Sequence, residues 1–209
     1  MLDTVKRESI YQPLQPGLKF PEKPVFATHA EERRHRQQRL VAACRAFAVH
    51  GLDYGFAGHL TIRDPEHPEL YWTNPMAVHF AQVRLGNLIL ADHKGRVVQG
   101  SHAINRAGFV LHAAVHEAHP DILAMCHAHT VYGVAYAALG RPLPPVTQDA
   151  CAFFEDHVVI SDEGGKVAVE EQAGHNFAAA FKGVKAAIHQ NHGLITASRH
   201  SIEAAAFWF

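Results

Sequence analysis

Hydrophobic and polar positions repeat with two different periods along the chain, and each period predicts a type of element. From about Ala30 to His50 the pattern is helical: the apolar residues between Leu40 and Ala48 recur every three to four positions opposite charged ones, which is typical of an amphipathic helix. The same period runs from Asn105 to His119, where Pro120 follows the end of the pattern. On this second helix one face carries Phe109, His112, Val115 and His116. Further helices are predicted from about Thr130 to Leu139, from Lys166 to Phe181 and from Ser201 onward.

Short apolar runs bounded by turn residues predict the strands. These runs are His59 to Asp64, Leu70 to Thr73, Leu88 to Ala91, Arg96 to Val98, the segment after Ile122, His157 to Ser161, Ala186 to Gln190 and Leu194 to Ala197. Some of them form hairpins, as the turn at Asp92 to Gly95 indicates, whereas others alternate with helices. This mixture predicts an α/β fold, a three-layer α/β/α sandwich with a mixed, largely antiparallel central sheet.

The two ends of the chain differ from the middle. Residues 1–28 contain four prolines and no periodic apolar face, which predicts an extended N-terminal arm. Residues 29–209 then form the folded domain. The last predicted helix is still apolar at Phe207, Trp208 and Phe209, so we expect the domain to continue beyond residue 209.

Composition narrows the class of protein. The 209 residues are 48% hydrophobic and 19% charged, with a formal net charge of -1, which is typical of one globular domain. Without a basic excess we expect no nucleic-acid or membrane-surface partner. Three cysteines without framework spacing indicate reduced thiols, and neither a signal peptide nor a transmembrane run is evident, so we expect a cytoplasmic protein.

Two closely spaced histidines end the apolar run that begins at Ile122. Side chains two residues apart on a strand share a face, so His127 and His129 are expected to project together. His192 follows another apolar run and supplies a third imidazole, a residue type that binds zinc, iron, copper and nickel. Because the chain has 18 histidines, one such pair also arises by chance as a polar strand end. The combination of three predicts a site for one divalent metal, Zn or Fe(II), with an open position.

From about Leu40 onward the sequence resembles the class II aldolase/adducin family. The residues that carry the resemblance are Ala57 to Asp64, Ile104 to His112, His127 to Thr130 and Gln190 to Ile195, in matching order and spacing. The resemblance implies a three-layer α/β/α fold, a divalent metal on His127, His129 and His192, and a homotetramer with active sites at subunit interfaces.

Departures from the family pattern narrow the expected reaction. Sugar-phosphate members place an acid where this chain has Gly108, and glycine can neither move a proton nor bind a metal. The residues of their phosphate pocket are replaced here at His59 and Arg106. Their glycine-containing phosphate loop is replaced by the segment Thr73 to Met76, which contains Asn74. A sugar-phosphate aldolase is therefore not expected. The residues assigned to substrate binding are Arg106, His59 and Asn74, with Arg106 expected near the metal on the substrate's carboxylate. Gln148, which aligns with a catalytic tyrosine of the family, is assigned with Asp149 and Glu155 to catalysis.

Three functions follow from these observations. The first is a metal-dependent lyase that cleaves the C–C bond beside a carbonyl of a small carboxylate, by retro-aldol reaction or decarboxylation. The second comes from resemblance to a subgroup that includes aldolase-like enzymes of aminocoumarin antibiotic biosynthesis. It is iron-dependent oxidative decarboxylation of a prenylated 4-hydroxyphenylpyruvate to the benzoate, with Phe80, Phe153 and Phe154 either lining an apolar pocket or lying in the core. The third is a non-catalytic interaction module of the adducin type.

Overall fold

The computed structural model describes residues 13, 15–55, 57–161 and 171–209, and these form one eight-stranded sheet with helices on both faces. The strands are β1 (Gly58–Arg63), β2 (Leu70–Thr73), β3 (Ile89–Asp92), β4 (Val97–Gln99), β5 (Ala124–Ala128), β6 (His157–Ile160), β7 (Ala186–His189) and β8 (Gly193–Ser198). Their order is β4-β3-β2-β1-β5-β8-β7-β6. All neighbours are antiparallel except β6 and β7, so the predicted mixed, largely antiparallel sheet is confirmed.

The described residues also form six α-helices. They are α1 (His29–Val49), α2 (Arg106–Ala118), α3 (Val131–Ala137), α4 (Gln148–Cys151), α5 (Glu171–Phe181) and α6 (Ile202–Trp208). Short 3-10 helices span Phe80–Gln82 and Leu85–Asn87, and the sequence pattern did not predict these or α4. Of the helix predicted from Lys166 to Phe181, the structure describes Glu171–Phe181, and residues 166–170 lie outside the described residues. No helix of the described residues is long and apolar enough to cross a membrane.

Side chains of the sheet alternate between two separate cores. On one face, Leu60, Ile62 and Cys126 pack with α1 and α6, and on the other face Met125 and Ile195 pack with α2 and α5. The three-layer α/β/α sandwich is therefore confirmed. Because alternate residues of a strand point to opposite faces, the burial of Cys126 in the first core places His127 on the α2 side.

Hydroxyl and amide side chains begin most of the helices at the predicted places. Asn105 caps α2 by accepting a hydrogen bond from the Gly108 N–H, and Thr130 and Ser201 cap α3 and α6 in the same way. Asn105 thus fixes the first turn of α2, the helix that lies over β1.

The described part of the N-terminal arm contains no helix or strand before His29. Its end lies against α1, where the Phe26 ring packs 4.9 Å from the His35 ring. The Ala27 N–H also donates to the Glu31 carboxylate, at 2.9 Å. The arm's first twelve residues and Leu14 lie outside the described residues.

Candidate metal centre

His127 lies in the centre of the sheet, near the end of β5. Its strand pairs with β1 on one side and β8 on the other, which places His127 opposite His59 and Ile195. The side chain is 4% exposed and faces α2. An uncharged imidazole at this position has a rigid backbone on both sides, which is the support that a metal ligand needs.

His129 and His192 reach the same point from two different loops. His129 follows directly after β5, and His192 lies in the tight turn between β7 and β8. Asn191 (φ +59°) and Gly193 (φ +158°) permit this turn, in which the His192 N–H donates to the His189 carbonyl at 3.0 Å. The sequence placed His129 on the strand itself, whereas β5 ends one residue earlier.

The three imidazoles converge as a metal site requires. Their ring centroids are 5.0 Å apart for His127 and His129, 4.8 Å for His127 and His192, and 4.9 Å for His129 and His192. One potential ligand nitrogen from each ring lies within 4.8 Å of the others. Among the described residues this group contains three histidines and no carboxylate.

Hydrogen bonding gives His127 the form that binds a metal. Its Nδ1 lies 2.8 Å from the Leu194 carbonyl oxygen, which can only accept, so Nδ1 carries the proton. Nε2 is then left with its lone pair. Metal-binding histidines usually donate their second nitrogen to a carbonyl or carboxylate in this way. The residues therefore fit a divalent ion.

Burial keeps all three rings neutral. It lowers the pKa of His127 well below its usual value, an effect that the neighbouring His59 increases. The pKa of His192 falls to about 4, chiefly through burial and then through His189, and burial alone lowers the pKa of His129. Because only the neutral ring binds a metal, the site is ready for one at pH 7.

His59 fills the place of the family's missing acid. A Cβ atom added at Gly108 would lie 2.8 Å from Nε2 of His59 and closer still to Cε1 and Nδ1. The ring centroid of His59 is 5.2 Å from that of His127 and 4.1 Å from that of His112. Burial lowers the pKa of His59 to about 3, the Gly108 backbone opposes this effect, and neither ring nitrogen makes a hydrogen bond of ordinary geometry among the described residues. His59 therefore lies beside the three histidines, and glycine is required at position 108 to make room for it.

Asn74 hydrogen-bonds the backbone of β1 on both sides of His59. Its Oδ1 accepts a hydrogen bond from the Leu60 N–H at 2.9 Å, and its Nδ2 lies 3.5 Å from the Gly58 carbonyl. These two groups flank His59 on β1, so Asn74 fixes the strand backbone at that point. Its assignment to direct substrate binding stays a prediction.

Arg106 faces a different cavity. It is exposed at the first turn of α2 and lines a cavity of about 210 Å³ with His93, Lys94 and His175, and this cavity does not include the three histidines. Gly108, two residues further along, is the part of α2 that reaches the site. Whether Arg106 binds a substrate carboxylate remains a prediction.

The three residues assigned to catalysis are exposed. Gln148 and Asp149 lie in the first turn of α4, and Glu155 follows that helix with a φ of +58°. No side-chain hydrogen bond joins any of them to the three histidines in the part of the chain that the structure describes. Their catalytic role therefore stays a prediction, and within one chain nothing places them at the site.

The aromatic residues divide between core and surface. Phe80 is buried in the core beneath α1, Phe154 is exposed, and Phe153 lines an apolar cavity of about 270 Å³ together with Tyr136 and Trp208. Phe80 therefore lies in the core. The cavity beside Phe153 does not include the three histidines, so a role of Phe153 in a substrate pocket stays a prediction.

Two buried residues at the contact between β1 and α2 were not assigned a role from the sequence. Thr61 lies two residues after His59 on the same face of β1, and His116 lies one turn after His112 on α2. The Thr61 hydroxyl lies 2.9 Å from Nδ1 of His112 and 3.0 Å from Nε2 of His116. Thr61 fits the strand pattern of β1 and His116 fits the helix pattern of α2. Their contact, however, is evident only from the packing of α2 on β1.

Comparison with known proteins identifies the family. Residues 38–209 match the model of the class II aldolase and adducin N-terminal domain, and the chain therefore belongs to the class II aldolase and adducin family. The sequence resemblance is confirmed.

Similar proteins include two from Streptomyces. The chain is 44% identical to the "Decarboxylase NovR" of Streptomyces niveus over 91% of this chain and 70% of that protein. It is also 44% identical to the "4-hydroxy-3-prenylphenylpyruvate oxygenase/4-hydroxy-3-prenylbenzoate synthase" of Streptomyces roseochromogenus subsp. oscitans, over 91% of this chain and 69% of that protein. These relatives confirm the resemblance to the antibiotic-biosynthesis subgroup.

A solved structure with a similar fold carries the name of a different enzyme. It is the "L-fuculose 1-phosphate aldolase from Glaciozyma antarctica PI12", which is 41% identical with a TM-score of 0.82. The match covers 90% of this chain and 73% of that chain. The names of these relatives indicate an enzyme, and they differ in the reaction.

Proposed function

We propose that this chain is a metal-dependent decarboxylase of a small 2-oxo acid, with one divalent ion held by His127, His129 and His192. The observation that carries the proposal is the convergence of three neutral imidazoles with ligand nitrogens within 4.8 Å of one another. The Streptomyces relatives, named as a decarboxylase and as an oxygenase/synthase of a phenylpyruvate, support a 2-oxo acid as substrate.

The chain's own residues provide the surroundings for this reaction. A divalent ion with open positions would chelate the carboxylate and carbonyl oxygens of a 2-oxo acid and would draw electron density from the carbonyl carbon, where charge develops when CO₂ leaves. His127 is held in its ligand tautomer by the Leu194 carbonyl, and α2 packs on β1, the strand beside it. The ring of His59 packs beside His127 and borders the site.

The same residues argue against a sugar-phosphate aldolase. Gly108 removes the acid of α2, and the His59 ring occupies the space that the acid's side chain would need. A proton-transfer group of that kind contributes about 10²–10⁴-fold to an enzymatic rate. We therefore infer that L-fuculose 1-phosphate is not a good substrate, although a relative carries that name.

A second candidate is the oxidative form of the reaction. The relative named as an oxygenase and benzoate synthase favours it, because conversion of a phenylpyruvate to a benzoate requires an oxidant. Three histidine ligands accept iron as well as zinc. A purely structural module of the adducin type has no need of three convergent, neutral imidazoles, so this alternative has the least support.

The test uses metal-free protein reconstituted with Fe(II) or with Zn(II), and 4-hydroxyphenylpyruvate as the probe. We expect CO₂ release with the correct metal and none without it, and simultaneous O₂ consumption would identify the oxidative form. His127→Ala should abolish the release, whereas His29→Ala, an exposed histidine on α1, should not. CO₂ release by metal-free protein or by His127→Ala would contradict the proposal.

L-fuculose 1-phosphate serves as the comparison substrate in the same preparation. We expect no cleavage above background. Turnover at about 1 per second or faster, within the ordinary range of enzymes, would show that the protein is an aldolase despite Gly108.

A further inference from the structure

A column of buried polar side chains runs behind the metal centre, between β1 and α2. It consists of His116, Thr61, His112 and His59. All four are at most 4% exposed, so none of them exchanges its hydrogen bonds with bulk water. Buried polar groups of this kind are costly unless they satisfy one another.

The direction of the hydrogen bonds in this column is determined by a backbone carbonyl. Nδ1 of His116 lies 3.1 Å from the Ile122 carbonyl oxygen, which can only accept, so this nitrogen carries a proton. The Arg63 guanidinium donates to the His116 carbonyl at 2.7 Å, and the Tyr71 ring stacks on the imidazole at 4.7 Å. A second proton would place a charge in this buried position beside a cation.

Burial accordingly lowers the pKa of His116 to about 3, with Arg63 adding to the effect. The ring is therefore neutral, and its Nε2 has a lone pair that accepts the Thr61 hydroxyl proton at 3.0 Å. Having donated its only proton, the Thr61 oxygen must accept from Nδ1 of His112, at 2.9 Å.

The consequence for His112 follows directly. Burial also lowers the pKa of His112 well below its usual value, with His59 contributing, so the ring holds one proton, and that proton is on Nδ1. Its Nε2 is then a lone pair without a hydrogen-bond partner among the described residues. The ring packed against it is His59, with centroids 4.1 Å apart, and neither nitrogen of His59 makes a hydrogen bond of ordinary geometry in the described part of the chain.

We propose that His116, Thr61 and His112 form a hydrogen-bonded relay that holds His112 as the Nδ1–H tautomer and fixes the ring against which His59, the imidazole next to the metal centre, packs. Nε2 of His112 then carries a lone pair beside the ring of His59, and the packing of the two rings sets the orientation of His59 next to His127. Thr61 and His116 are positioning residues, since they act through His112 and do not touch the site. The role given to His59 depends on the proposed function, whereas the tautomer of His112 does not.

Nuclear magnetic resonance of ¹⁵N-histidine-labelled, zinc-loaded protein tests the relay, because long-range ¹H–¹⁵N correlations distinguish the two neutral tautomers. We expect His112 and His116 each to carry the proton on Nδ1. Thr61→Val keeps the shape of the side chain but removes the hydroxyl, and should leave His112 in a mixture of tautomers. Thr61→Ser keeps the hydroxyl and should restore the single tautomer.

The functional readout separates the relay from the metal site. Zinc content should be unchanged in Thr61→Val, because the three ligand histidines are not touched. In contrast, kcat for 4-hydroxyphenylpyruvate should fall by about 10-fold or more, as it does when a residue that hydrogen-bonds and orients a site residue is replaced. Thr61→Ser should recover most of it. The relay is wrong if His112 carries its proton on Nε2, if Thr61→Val leaves the tautomer unchanged, or if kcat is the same in Val and Ser variants. Absence of zinc from the wild-type protein would refute the proposed function and leave the tautomer test intact.

Discussion

Gly108→Ala provides a quantitative test of the contact between α2 and His59. In an ordinary helix interior this substitution stabilises the protein by about 1 kcal/mol, since alanine is the better helix former. Here the new Cβ would lie 2.8 Å from Nε2 of His59 and closer to two further ring atoms. The ring is 4% exposed and packed against His112 and His127, so it has little space to move away.

The expected magnitude follows from two opposing effects. Overpacking of a buried site costs about 1–3 kcal/mol. After the gain of about 1 kcal/mol in helix propensity, Gly108→Ala should change stability by roughly 0 to 2 kcal/mol in the destabilising direction. In a His59→Ala background the clash is absent, and the same substitution should stabilise by about 1 kcal/mol.

Urea unfolding of the four proteins of this double-mutant cycle, at one protein concentration, measures the coupling. We expect a coupling free energy of about 1–3 kcal/mol between positions 59 and 108. Gly86→Ala is the matched control, because a Cβ there meets nothing within 4 Å, and it should be nearly neutral. If Gly108→Ala stabilised the protein equally in both backgrounds, the position of His59 would be wrong.

Three further outcomes are expected. The metal-free protein should lose stability as the pH falls below about 6.5, the value at which unfolded histidines take up protons, because the folded-state pKa of each buried histidine is lowered. Each of these histidines should lower the free energy of unfolding by about 1.4 kcal/mol per pH unit. A free energy of unfolding that is constant from pH 7.5 to 5 would contradict this. Arg106→Lys should raise KM for 4-hydroxyphenylpyruvate more than Arg34→Lys, an exposed control on α1, and equal KM values in both variants would remove Arg106 from the substrate site. Light scattering should give the mass of a tetramer, as is usual in the family, and a monomer at micromolar concentration would refute that expectation.

Local patterns in the sequence were sufficient to predict most of the elements. The helical period of α1 and α2 located both helices to within one residue at each end, because long amphipathic helices contain several repeats of the pattern. The helices predicted to start at Thr130 and Ser201 do start there, and both side chains accept a capping hydrogen bond. In contrast, α4 has only four residues, which is too short for any period to appear.

The candidate site was predictable only in part, because its residues come from segments that are distant in the sequence. His127 and His129 are two residues apart, so a strand period predicted that they project together, although β5 ends at Ala128. His192 joins them through the pairing of β5 with β8, a long-range contact that the resemblance supplied and periodicity could not.

Long-range contacts also explain what was missed or assigned differently. Asn74 was assigned to the substrate, yet its amide bonds the backbone of β1 on both sides of His59. The link from Thr61 to His116 likewise depends on how α2 packs on the sheet. Neither contact leaves a signal within its own segment of the sequence.

Metal stoichiometry tests the central claim most directly. Purified protein, depleted with a chelator and dialysed against Zn(II) or Fe(II), is analysed for bound metal beside His127→Ala, His192→Ala and the control His29→Ala. We predict one equivalent per chain in the wild-type and control proteins, and a nearly complete loss in the two ligand variants, since removal of one of three ligands leaves only a weak site. An equal metal content in all four proteins, or none in the wild type, would contradict the account.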